Sequence, residues 1–163
     1  MLLTDDGAGV HAARILQARL AARPAVTVLD AGTLSFTLAP SIENAGSLII
    51  LDAAQLGRPP GSIQCFLDDE LDGFLGRSRL SVHEIGLRDL MDIARLAGRL
   101  PDKRALIGIQ PQSLEWGTEP TPTVAAALES AVQSALELLD TWPQRQCLAA
   151  ATHNSQLTTH CHP

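Results

Sequence analysis

The chain has 163 residues, 45% apolar and 18% charged, enough for one domain with a real core and too apolar for a disordered polypeptide. Its net charge of -6, the lack of a basic stripe and the absence of tyrosine remove the electrostatic and stacking basis for binding nucleic acid. No apolar run approaches the ~20 residues of a membrane span, no basic-then-apolar leader opens the chain, and Cys65, Cys147 and Cys161 stand far apart. The expectation is a soluble cytoplasmic protein in a reducing compartment.

Residues 7–22 read as a helix, with Val10, Ala13, Leu16 and Leu20 at three- and four-residue intervals and Pro24 beyond its end. The run 25–30 (AVTVLD) is β-branched and reads as a strand. Leu34, Leu38 and Ile42 mark one face of a short helix. Residues 47–53 (SLIILDA) are almost continuously apolar, as a strand buried on both faces must be. A loop, GRPPGS, leads to a further strand, IQCFL. A helix is expected over 84–97, a strand over 104–110 and an amphipathic helix over 124–139. From Trp142 the periodicity fails, so 1–140 reads as the domain and 141–163 as a disordered tail.

Alternating strands and helices predict an α/β fold with a mostly parallel sheet covered on both sides. In such folds the ligand site lies at the carboxyl ends of the strands. Polar residues collect there. Asp6 follows the opening stub, Asp30 ends the second run, Asp52 ends LIILD, and Gln110 and Ser113 follow ALIGI. An acid at a strand end can equally cap the next helix, and Asp30 enters a turn that an Asx-type hydrogen bond would suit. The stretch SVHE fits a capping box, with Ser81 as N-cap and Glu84 as its partner. His83 then falls in the first helical turn, where the helix dipole disfavours imidazolium and leaves the neutral, ligating form. Asp6, Asp52 and His83 together make an N/O donor set for a borderline divalent ion with open positions. His11, about 140° around the helix from Asp6, is not expected to join them.

The stretches LLTDDGAGVHAA, LDAGTL, LIILDA, PPGSI, LSVHEIGLRDLM and LIGIQPQSLEWG, followed by PTV, resemble the [NiFe] hydrogenase maturation peptidases in order and spacing. The resemblance implies a three-layer α/β/α sandwich around a mostly parallel twisted sheet. It also implies a metal-binding trio at Asp6, Asp52 and His83, with Asp6 standing where relatives often carry Glu. The implied activity is that of an aspartate/metal-type endopeptidase. It would remove a C-terminal extension from the precursor of the hydrogenase large subunit after nickel insertion, the nickel being carried by the substrate. The segment Asp30, Ala31, Gly32 and Thr33 matches one connected with substrate choice, and Gln110 and Ser113 lie at the same edge. The implied partner is the precursor; the composition adds the expectation of no nucleic acid and no membrane, and a docking surface open to a much larger substrate that of a monomer.

The chemistry agrees with the residues. No Gly-x-Ser-x-Gly elbow is present, and no histidine accompanies a cysteine in a folded segment, so an activated water is the expected nucleophile. In the resembling family an apolar strand precedes the segment that begins here at Leu2. It lies inside the sheet, between the strands matching 25–30 and 47–53. Its absence predicts a central gap with exposed backbone groups, and the reading is that the true start lies upstream. Two other readings are weaker. A chaperone-like binder would hold the precursor without cutting. A receiver-like phosphoacceptor would need a lysine after the strand over 104–110, whereas Lys103 lies at its other end.

Overall fold

The computed structural model describes residues 4–20, 23–32, 36–76, 82–142 and 147–152. A 3-10 turn over Asp5–Gly7 runs directly into α1 (Ala8–Arg19). Then follow β1 (Val26–Gly32), α2 (Ala39–Glu43), β2 (Ser47–Ala53), β3 (Ile63–Leu67), α3 (Asp68–Leu75), α4 (Val82–Leu96), β4 (Lys103–Ile109), α5 (Pro122–Thr141) and β5 (Cys147–Thr152). The strands form one sheet in the order β1-β5-β2-β4-β3. Every neighbouring pair is parallel except β3, which runs antiparallel to β4.

Period-2 alternation along the strands divides the core in two. Ile49 and Leu51 of β2, with Ile107 and Ile109 of β4, pack beneath α1 and α5. Leu48, Ile50 and Leu106 point the other way, beneath α2, α3 and α4. All seven residues of β2 are buried, which is why its sequence is apolar without alternation. Among the described residues no helix is long and apolar enough to cross a membrane.

Two expectations need correction. Residues 147–152 do not belong to a disordered tail. They form β5, paired in parallel with β1 on one side and β2 on the other. Thr141 ends α5 and Trp142 packs against the core, so neither belongs to a tail, and residues 143–146 and 153–163 lie outside the described residues. The central gap expected between β1 and β2 is therefore filled, and the filler is the carboxyl-terminal strand. Its sequence, CLAAAT, has three alanines, no aromatic residue and a single β-branched one, Thr152 at its end, and so does not announce a strand. Pairing on both edges and burial of Cys147 to Ala151 override that weak propensity. The helix α3, over DDELDGFL, is an addition to the expected elements.

Candidate active site at the carboxyl edge of the sheet

The four parallel strands end on one edge, and the opening turn packs there on the end of β2. Gly9 makes this possible. A Cβ on Gly9 would stand 2.9 Å from the carbonyl carbon of Leu51 and 3.1 Å from Cα of Asp52. Only glycine lets the first turn of α1 lie this close to the end of β2, so Gly9 brings the turn containing Asp6 onto the strand whose penultimate residue is Asp52. Asp52 is 1% exposed and Asp6 is half-buried.

The adjacent acid, Asp5, has a different role. It is completely buried. Its carboxylate accepts the amides of Gln112 at 2.8 Å, Ser113 at 2.9 Å and Thr121 at 2.6 Å, and the Thr121 hydroxyl at 3.0 Å. Thr121 is the N-cap of α5. Asp5 therefore ties the chain's opening segment to the β4–α5 loop and the start of its last helix. A charge accepting several amides in the interior is the arrangement in which burial of a carboxylate is tolerated. Thr4 adds to the tie, donating its amide to Glu115 O at 2.9 Å and its hydroxyl to Ser113 O at 2.8 Å.

The remaining candidates divide between support and surface. Gln110 is buried, and its Oε1 accepts the Leu56 amide at 2.8 Å while its Nε2 donates to Gln55 Oε1 at 3.2 Å. Its side chain clamps the β2–β3 loop onto the end of β4. Ser113 is half-buried, and its Oγ accepts the Glu115 amide at 3.2 Å. Asp30 is exposed and accepts the Gly32 amide at 3.0 Å, closing the Asx-type turn that its sequence suits. Gly32 has φ 51°, a left-handed conformation that favours glycine, and Ala31 is buried. Thr33 lies outside the described residues.

α4 begins at Val82, so His83 stands in its first turn, as the capping pattern predicts. The His83 side chain and Ser81 lie outside the described residues. Among the described residues no group of three or more His, Cys, Asp or Glu gathers to hold a metal ion. His11 is occupied elsewhere, its Nε2 lying 3.1 Å from Thr118 O.

The described thiols are not activated. Burial pushes the Cys65 thiol up, with Glu70 adding to the effect, and burial pushes Cys147 up against a weaker opposing hydrogen bond from Ser47. The larger clefts lie away from the carboxylates. One of about 580 Å³, lined by Gly46, Ser47, Pro101 and Lys103, opens at the amino ends of β2 and β4.

Sequence reasoning had no signal for Asp5, whose partners are distant along the chain, or for Gly9, whose importance appears only once α1 is seated on β2.

The comparisons agree with this architecture. The family profile for hydrogenase maturation protease matches residues 10–138. The hydrogenase expression/formation protein HoxM of Cupriavidus necator is 35% identical over 143 residues, covering 87% of this chain and 71% of that protein. The hydrogenase 2 maturation protease of Escherichia coli K12 is 35% identical over 140 residues, covering 85% of each. The solved structure of the hydrogenase maturating endopeptidase HybD from Escherichia coli superposes with a TM-score of 0.77 at 33% identity, covering 85% of this chain and 86% of that one. With the profile spanning most of the chain and the sheet edge built as described, the chain belongs to the hydrogenase maturation protease family.

Proposed function

We propose that the chain is an endopeptidase that removes a C-terminal extension from a [NiFe] hydrogenase large-subunit precursor once nickel has been inserted. The observation that supports this reading most is the close seating of Gly9 on Leu51 and Asp52, which brings the Asp5–Gly7 turn to the end of β2. Two acids from different elements then serve one edge. The nickel arrives with the substrate, and Asp6, Asp52 and His83 are the residues that engage it. Two carboxylates and an imidazole suit a borderline divalent ion. Bound there, it supplies Lewis acidity toward the scissile carbonyl and lowers the pKa of a water.

The chain's own contribution is positional. Burial of Asp52 restricts its carboxylate near the strand end, and the locked turn that carries Asp6 packs on that same end of β2. Asp30 and its turn, with Ser113, face the substrate on either side of that pair. Gln110 acts from beneath, through the β2–β3 loop. The raised pKa of both described thiols leaves Cys65 and Cys147 poor candidates for the nucleophile. The enzyme acts as a monomer in the cytoplasm, on a folded protein partner.

The test is a processing assay with purified precursor, nickel-loaded and nickel-free, read by intact mass. The expected result is loss of a C-terminal segment from the nickel-loaded form alone, and no loss with Asp52→Asn. A nickel-loaded precursor left whole by a stoichiometric amount of the chain, yet retained on it, would assign a binder rather than a peptidase.

A further inference from the structure

The β4–α5 loop, residues 111–121, has little regular secondary structure, yet it is fixed at many points. Asp5 holds the amides of Gln112, Ser113 and Thr121. Thr4 holds the carbonyls of Ser113 and Glu115, and His11 lies against that of Thr118. Gly117 is packed so closely on Thr4 that an added Cβ would meet Thr4 Cγ2 at 2.5 Å. This preorganised loop nevertheless presents Leu114 at 47% exposure and Trp116 at 58%. A rigid loop that displays a tryptophan and a leucine is costly to maintain for stability alone, and it has the makings of a binding hot spot.

We propose that Leu114 and Trp116 form the docking platform for the peptide segment of the precursor next to the scissile bond, with Asp5 as the positioning residue that holds the platform in register with Asp6. The inference rests on the peptidase reading and names how that site takes its substrate. Continuity carries it: the residue anchoring the loop is the covalent neighbour of Asp6, so platform and carboxylate share one rigid attachment. Charge defines the occupant further. The loop carries exposed Glu115 and Glu119 and no basic residue, and its anchor Asp5 adjoins the half-buried Asp6, in a chain of net charge -6. The segment that fits is extended, with an apolar side chain for Trp116 and a cationic one for the acidic rim.

The experiment has two arms, both with the full chain and nickel-loaded precursor. In the first, kcat and KM for processing are measured for Leu114→Ala/Trp116→Ala, a surface variant that should fold normally. The expected result is KM raised about tenfold or more with kcat within about twofold. Asp5→Asn is then measured alone and in the Trp116→Ala background. If Asp5 acts through the platform, its effect on KM shrinks to less than about twofold once Trp116 is gone. An unchanged KM in the surface variant overturns the platform, and fully multiplicative effects overturn the role given to Asp5. In the second arm, precursor is titrated against the uncut-holding Asp52→Asn chain, with and without Trp116→Ala. Binding weakened about tenfold by Trp116→Ala upholds the platform even if the wild-type chain never cuts, whereas equal binding overturns it while leaving the peptidase reading to the processing assay.

Discussion

Gly9 and Asp52 belong to different elements, yet a Cβ on Gly9 would lie 3.1 Å from Cα of Asp52. Gly9→Ala therefore sets two effects against each other. Alanine in a helix is favoured over glycine by about 1 kcal/mol. The contact with β2 backbone costs about 1–3 kcal/mol, because neither the strand nor the helix can move without disturbing a packed core. The clash should win. The expected result is a lower midpoint in urea with an unchanged slope, together with a larger loss of processing activity than of stability, since the shift falls on the turn that carries Asp6.

The central position of β5 makes a sharper prediction. Removing residues 143–163 would leave the facing edges of β1 and β2 unpaired in the middle of the sheet and uncover Leu16, Leu48 and Ile49. The truncated chain should be insoluble or lack a cooperative thermal transition. A soluble, cooperatively folding truncation would show that β5 is dispensable. Within the strand the two faces should differ. Ala149 is fully buried under α1 and α5, so Ala149→Val should destabilise by about 1–3 kcal/mol. Ala150 borders a small apolar void lined by Leu29, Leu38, Ile42 and Leu87, so Ala150→Val should be neutral or stabilising by up to about 1 kcal/mol.

These strands also mark where the sequence was readable. β2 and β4 were legible because burial on both faces forces a continuous apolar run, and their expected and observed bounds differ by a residue at most. β5 was not, because the local preference of an alanine-rich segment points away from strand, and only its two neighbours decide the matter. α3 was obscured differently. It follows β3 without a turn, and Asp68 enters it at φ 43° while accepting the Arg104 amide at 2.9 Å. Its Leu71, Phe74 and Leu75 keep helical spacing and could have been read. At the site, strand-end position puts Asp6 and Asp52 forward as candidates. It could not separate Asp5 from Asp6, since hydrogen-bond partners 107 to 116 residues away leave no local trace.

The thiols provide a pH prediction. Cys65 and Cys147 have folded pKa values raised chiefly by burial. Each thiol holds its proton in the folded state after the unfolded chain has released it. Their contribution to stability is therefore fully present below about pH 8.5 and declines as pH rises through the folded values. Substituting both by alanine or serine should flatten the alkaline limb of a stability–pH curve. At neutral pH both should alkylate far more slowly than glutathione, and that treatment should leave processing unaffected unless the fold is first loosened by denaturant.

The neighbouring carboxylates of Asp5 and Asp6 should separate cleanly in a stability-against-activity comparison. Asp5→Ala leaves three amides and a hydroxyl without their buried acceptor. Each unsatisfied buried group costs about 1–3 kcal/mol, part of which water entering the smaller side chain's space can recover, so a net loss of about 3 kcal/mol is expected. For a domain of this size that corresponds to a Tm lower by roughly 6–12 °C. Asp6→Asn removes a charge from a half-buried position without deleting volume, and its Tm should stay within a few degrees of wild type. Its processing rate should fall by about a hundredfold or more if Asp6 serves the reacting edge. The reverse pattern, with Asp6→Asn unfolding the protein and Asp5→Ala leaving it stable but inactive, would exchange the two roles and place the reacting carboxylate at the loop anchor.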